Sequence, residues 1–193
     1  KRYCELLAAI WIGKPDISGP FGFNRIITPH NYDSRLIDLL GVKYVLSLSE
    51  IDSSKFEKVF TEGQTKVYEN KQVFPRTFFV TNIKPVANKQ DAIDMMFDKN
   101  IDLRKVAIVE GWDRTESSFG EGSVSVEEYS PNRIVMQTAS NADSFLLFMD
   151  TYYPTWHAHV DGRETKIYLS DYNFRGVVIP SGKHTVIFSN SLL

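Results

Sequence analysis

The densest run of chemically capable side chains lies between residues 152 and 188, YYPTWHAHVDGRETKIYLSDYNFRGVVIPSGKHTVIF. His157 and His159 form an H-x-H pair. On a strand both would face one way, which is how some metal sites present two ligands. A third ligand is needed and none is near in sequence. His184 belongs to another segment and Cys4 is the sole cysteine, so no metal is expected. Tyr152, Tyr153 and Trp156 could stack on the apolar face of a sugar ring, or fill a core and its corner. Arg175, in NFRGV, could clamp an anionic group. It could equally pair with Asp161, Asp171 or Glu164 on the surface. These four residues, Tyr152, Tyr153, Trp156 and Arg175, are the candidate glycan contacts. Nothing else suggests a reacting set. Glu127 and Glu128 alternate across a strand and cannot act together. There is no G-x-S-x-G elbow, no phosphate-binding loop and no dinucleotide fingerprint, and GPFGFN from residue 19 is only a turn-rich loop. No catalytic residue and no cofactor is expected.

The elements that must carry these residues read as β. After residue 122 the chain alternates apolar and polar positions with turn signals at short intervals. Val124 and Val126 point one way, Ile134 and Met136 point inward, and residues 144–149 are apolar on both faces, as in a central strand. Trp156, Ala158 and Val160 alternate with the two histidines. Asp161-Gly162 is a strong two-residue hairpin signal. Strands are expected at 165–169, 174–179 and 184–188, with Ser181-Gly182 as a further turn. About seven short strands favour an antiparallel sandwich of jelly-roll type.

The first 110 residues alternate helix and strand signals. Residues 3–12 are apolar enough for a helix. Asp33 or Ser34 can cap a short helix that Gly41 ends. A strand follows at 42–48, then two strands around Asn70-Lys71, the second delayed or pushed to an edge by Pro75. Asn88 caps a helix whose Ala92, Ile93, Met96 and Phe97 share a face. Another strand runs over 103–110. The Gly- and Ser-rich stretch 111–122 is the best candidate linker. The expected fold class is therefore α+β, with a mixed part at 1–110, a linker at 111–122 and a β-sandwich part at 123–193, packed as one unit.

Bulk properties bound the partners. The chain has 193 residues, 42% hydrophobic and 24% charged, with a net charge of −2. That is ordinary globular composition, and no basic stripe is present to neutralise nucleic-acid phosphates. Aromatic residues make up 13%, which favours β structure or a carbohydrate-facing surface. One cysteine excludes an internal disulfide. No run reaches the roughly 18 apolar residues of a membrane span. The apolar segment YCELLAAIWIG carries Glu5 and reads as a core helix or the end of something longer. With no initiator Met, the chain is expected to be processed or excised from a longer protein.

The run YYPTWHAHVDG followed by NFRGVVIPSGKHTVIF resembles the C-terminal extracytoplasmic region of YfhO-like bacterial membrane proteins. These multi-spanning proteins are related to the GT-C class of lipid-linked-sugar glycosyltransferases. The family pattern falls on Tyr152, Tyr153, Pro154, Trp156, Val160, Asp161, Gly162, Arg175, Gly176, Pro180, Gly182 and His184. Thr155 stands where the family prefers Gly, and position 176 takes Gly or Ala. LLGVKYVLS (39–47), VFPRTFFV (73–80) and PNRIVMQTAS (131–140) are similar to further family segments in the same order. The resemblance covers roughly residues 30–190. It implies a location on the extracytoplasmic side of the cell membrane, with spans before and after this chain. It also implies that the catalytic carboxylate lies in an early loop upstream, leaving this part non-catalytic. Its role would be to position an acceptor or partner such as a cell-envelope glycan or polymer. The alternative is a free-standing carbohydrate-binding β-sandwich; a hydrolase with scattered site residues is a weaker third reading.

Overall fold

The computed structural model describes residues 1–19 and 31–190; most of GPFGFN lies outside them. The protein is a β-rich α+β chain with three sheets. It divides into two compact units that part between Pro75 and Arg76.

The first unit carries α1 (Arg2–Ile12), α2 (Arg35–Leu39), β1 (Tyr44–Ser47), β2 (Phe56–Glu62) and β3 (Thr65–Asn70). Gly13, at φ 71°, ends α1 in the left-handed conformation. Ser34 caps α2, its hydroxyl accepting from the Leu36 amide. The strands form an antiparallel sheet in the order β1-β3-β2. Sequence reading placed a strand before and a strand after Asn70-Lys71 as one pair. In the structure β3 ends at Asn70 and pairs instead with β1 and with β2. Beneath the sheet Lys55 and Asp38 are both buried and ion-paired at 2.9 Å. The Lys55 ammonium also donates to Ser34 O, and the Asn70 amide donates to Asp38 Oδ1 and Val42 O. Each charge is thereby hydrogen-bonded as well as paired, the condition under which a buried pair can be tolerated.

The second unit carries β4 (Thr77–Val80), β5 (Asn82–Val86), α3 (Lys89–Phe97), β6 (Val106–Glu110), β7 (Gly122–Tyr129), β8 (Arg133–Ser140), β9 (Ser144–Phe148), β10 (Trp156–Val160), β11 (Arg163–Thr165), β12 (Tyr168–Ser170), β13 (Phe174–Ile179) and β14 (Gly182–Asn190). Asn88 caps α3 by accepting from the Gln90 and Asp91 amides. Ala92, Ile93 and Met96 are buried as the helical period requires. One sheet runs β11-β10-β14-β8-β7 and the other β4-β9-β13-β12-β6-β5. Among the described residues the only parallel pairing is β5 with β6, which α3 connects. The strand after Pro75 does begin late and at an edge. β9 lies between β4 and β13 and is buried throughout.

Two sequence expectations are corrected here. Residues 111–122 do not separate the compact parts, because β4, β5 and β6 complete a sheet with β9, β12 and β13. Periodicity identifies a strand but not its partner, so a Gly- and Ser-rich loop inside the unit looks like a boundary. The expected strand at 165–169 is also two strands. β11 pairs with β10, whereas β12 pairs with β6 and β13, so the chain changes sheets between them. One cluster draws Ile134, Met136, Ala158 and Phe188 from the five-stranded sheet and Leu146, Phe148, Val177 and Ile179 from the six-stranded one. Its members sit at alternate strand positions, which is what buries one face of each sheet.

Candidate functional site

All the candidate residues lie in the second unit, and the structure stacks Trp156 on Arg175. Arg175 sits in β13, opposite Phe148 of β9 and Leu169 of β12. It is not a surface residue; its exposure is 3%. Its guanidinium lies 3.9 Å from the ring centre of Trp156 and 5.3 Å from that of Phe148. Nε and Nη2 both donate to the carbonyl of Thr151, at 3.1 and 3.0 Å. Nη1 is buried with no protein partner among the described residues. The expected surface pairing with Asp161, Asp171 or Glu164 is replaced by this aromatic and carbonyl cage. No single-sequence signal distinguishes an arginine beside a glycine in a turn from one buried beneath a tryptophan.

The turn around the Y-Y-P-T-W run meets this guanidinium at its two ends, Thr151 and Trp156. Thr151 supplies the accepting carbonyl and the Tyr152 amide donates to Asn173 O, one residue before β13 begins. The Trp156 amide donates back to Tyr153 O, closing a turn into β10. Trp156 is half-buried and packs against the core cluster. Tyr152 is half-buried, and Tyr153 is 59% exposed. Of the candidate aromatics, Trp156 has one face committed to Arg175 and Tyr153 retains an open ring.

Three residues that sequence reading did not connect complete this end of the unit. Asp150 accepts from Arg76 Nη1 at 2.8 Å and from the Tyr129 hydroxyl at 3.0 Å. Arg76 lies over the Tyr129 ring, which meets Phe148 edge to face. Burial pulls the Arg175 guanidinium down to about 10, opposed by the negative charge of Asp150 and by Tyr129. Arg175 therefore stays charged at neutral pH. Tyr129 is pushed above its ordinary value by burial and by its bond to Asp150. Asp150 thus ties Arg76 and Tyr129 together, and its charge is felt by Arg175. No nucleophile–base pair is among these contacts.

The remaining motif residues meet at a second place. The β10–β11 turn places Asp161 and Gly162 at φ 50° and 80°. Both central residues of a type I′ turn need that region, and Asp and Gly tolerate it best. Asp161 Oδ2 then reaches His184 Nδ1 at 2.5 Å, while Oδ1 accepts from the Thr185 amide. His184 Nε2 faces Ser181 O. An imidazole with an acceptor at each nitrogen is best satisfied as the imidazolium. The bond to Asp161, then the one to Ser181, raises the His184 pKa above 6.5. Asp161 is lowered below 3.8, chiefly by His184 and then by the Thr185 amide. A cleft of about 510 Å³ opens beside this contact, with Arg114, Asp143, Arg163 and Glu164 among its lining residues.

The pair sets a pH dependence with two limbs. The His184 contribution is complete below its unfolded value near 6.5 and is lost as pH rises through the raised folded value. The Asp161 contribution is complete above about 3.8 and is lost as pH falls through the lowered one. Thermal melting of the parent and of His184→Gln should differ most from about pH 4 to 6.5 and converge towards pH 9. The difference should be small, since solvent screens the pair. A difference that grows above pH 8 would contradict the imidazolium assignment.

His157 and His159 lie on β10, facing β11. His157 Nδ1 contacts Glu164 at 2.9 Å. Among the described residues no three His, Cys, Asp or Glu side chains converge as a metal ion would need. Compared with family models, with curated proteins and with solved structures, the chain gives no match in any of the three.

Proposed function

We propose that the chain is a non-catalytic extracytoplasmic domain of a multi-spanning bacterial membrane protein related to lipid-linked-sugar glycosyltransferases. In this reading the second unit is a β-sandwich of jelly-roll type that positions a cell-envelope glycan or polymer acceptor, or a partner. The observation that carries it is spatial. Residues that bear the family resemblance, scattered from 152 to 184, meet as two structural contacts, Trp156 on Arg175 and Asp161 on His184. The first joins strand β10 to β13 and the second ties the β10–β11 turn to β14, and neither brings a nucleophile into reach of a base. A rigid body beside a membrane active site can raise the effective concentration of an acceptor without supplying a reacting group. At 3% exposure Arg175 supports that role from below, by holding the turn from Thr151 to Trp156 in place through its two bonds to the Thr151 carbonyl and its stacking on Trp156.

The test has two arms. The isolated chain, given a lipid-linked sugar and a cell-surface polymer, should show no turnover. The parent membrane protein lacking residues 31–190 should insert but transfer sugar poorly. Transfer by the isolated chain, or full activity of the deletion variant, would defeat the proposal. The free-standing carbohydrate-binding reading is favoured only by the open ring of Tyr153. It would prevail if the isolated chain bound envelope glycan and Tyr153→Ala abolished that binding.

A further inference from the structure

The cleft beside His184 takes its walls from separate parts of the second unit: the stretch after β6, the β10–β11 hairpin and the turn between β13 and β14. Its volume of about 510 Å³ is that of a small-molecule site. Val160, Val178 and Pro180 give it an apolar lining. The cations Arg114, Arg163 and His184 share it with the carboxylates of Asp143, Asp161 and Glu164. On formal charge these groups balance, but on hydrogen bonding they do not. Both oxygens of Asp161 are taken, by His184 and by the Thr185 amide. Asp143 accepts from the Ser181 amide at 3.0 Å. Glu164 stands opposite His159, on the outer face of the β10–β11 pair, and is bound by His157.

The cations are placed differently. Arg163 stands opposite Val160, on the face that carries Val160 and Ala158 inward. Its guanidinium makes no hydrogen bond or ion pair among the described residues, although Asp161 feels its charge. Arg114 lies 3.7 Å from Glu116, beyond hydrogen-bond reach, and both side chains are exposed. His184 contributes charge alone, since each of its nitrogens already faces an acceptor. Thr165, two places on from Arg163 and so on the same face, also lines the cleft, and its hydroxyl has no partner among the described residues. What remains for a ligand is a guanidinium fork, a second cation and a hydroxyl beside an apolar lining. We propose that this cleft binds a negatively charged group carried on a sugar, a carboxylate or a phosphate. Arg163 takes the anion in its fork, the geometry that suits both groups. Arg114 and His184 add positive charge, and the apolar lining receives the sugar ring. A bare anion would leave most of the cleft unfilled. That the anion is carried on a glycan rests on the proposed function; that the ligand is an anion rests on the cleft alone.

Trigalacturonate, an oligomer of glycerol phosphate and neutral maltotriose are the probes, titrated calorimetrically into the whole chain. At least one charged oligomer should bind and maltotriose should not; the tighter of the charged pair identifies the anion as carboxylate or phosphate. Arg163→Gln should weaken that binding at least about tenfold, as the loss of a charge-assisted contact predicts. Arg163→Lys keeps the charge without the fork and should fall between the two. Both variants should melt with the parent, because Arg163 is exposed. Arg133→Gln removes an exposed arginine at the other end of β8, opposite Ser189 rather than His184, and should leave binding intact. Maltotriose binding as tightly as the charged oligomers, no binding at all, or an Arg163→Gln protein that binds like the parent would each overturn the proposal. So would an equal loss in Arg133→Gln, which would reduce the effect to overall charge. An Arg163→Gln protein that binds normally but self-associates would assign Arg163 to guarding the edge of the sheet at β11 instead. Transfer lost on deletion with no oligomer bound would sink this proposal alone. Oligomer bound with transfer intact after deletion would sink the proposed function alone.

Discussion

Asp38→Ala should unfold the first unit at markedly lower denaturant, with a loss of about 3–5 kcal/mol. Asp38 and Lys55 are both nearly inaccessible, and the carboxylate also accepts from Asn70. Removing it strands a buried ammonium and an amide donor at once. The penalty is the cost of an uncompensated buried charge, not the worth of the pair. The double variant Asp38→Leu, Lys55→Met should therefore recover much of the loss, since apolar residues of similar volume can replace a buried pair at little cost. Trp11 is the tryptophan of this unit, so its fluorescence during urea titration follows the effect. A single variant within about 0.5 kcal/mol of the parent, the range of an ordinary surface change, would show that the pair is not held dry.

Gly176→Ala should be the most damaging methyl group that can be added to the second unit. A Cβ at Gly176 would lie 2.2 Å from Phe145 Cζ and 2.5 Å from Ser170 Oγ. Phe145 and Ser170 are both fully buried. The ring cannot swing away, because Trp112, Phe119 and Tyr168 pack around it. Overpacking of this kind costs typically 1–3 kcal/mol, and here about 3 kcal/mol or more is expected. Calorimetric melting would register it. Adding Phe145→Leu should restore part of the loss by making room, a coupling that a double-mutant cycle isolates. A Gly176→Ala protein that melts with the parent would mean that Phe145 yields, and that the aromatic packing around it is looser than its distances indicate.

The local grammar was readable. Ser34 and Asn88 cap their helices because their side chains can accept amide hydrogens that the first turn leaves unpaired. Asp161-Gly162 makes its turn because few other pairs accept two positive φ angles. Ile134 and Met136 fall on the buried face because strand period is fixed at two. Partnership was not readable. β2 was overlooked, and β5, with Pro85 inside it, reads poorly as a strand; it is an edge strand, where a proline is tolerated. The boundary at residue 75 was hidden because nothing in a strand's own residues says which sheet it will join. The site was legible in its residue types and not in its arrangement. Trp156 and Arg175 were singled out, but not their stacking. Arg76, Tyr129 and Asp150 carry no spacing signal, since only the pairing of distant strands brings them together.

The interleaving of the six-stranded sheet has a consequence for how the chain acquires its structure. β6 is walled by β5, already made, and by β12, which comes much later; the Ile108 amide donates to Asp171, 63 positions on. Thr77 at the opposite edge donates to Leu147, 70 positions on. As the chain emerges in order, Ala107, Ile108 and Val109 are therefore complete as a sequence long before the strand that will cover their open edge exists. Loops of this length must close before their contacts compensate the lost entropy, which makes such pairings slow. For that interval the nascent chain offers an apolar, half-paired edge to any neighbour, so the rate of synthesis and the supply of chaperones bear on the yield of this unit as well as its final stability.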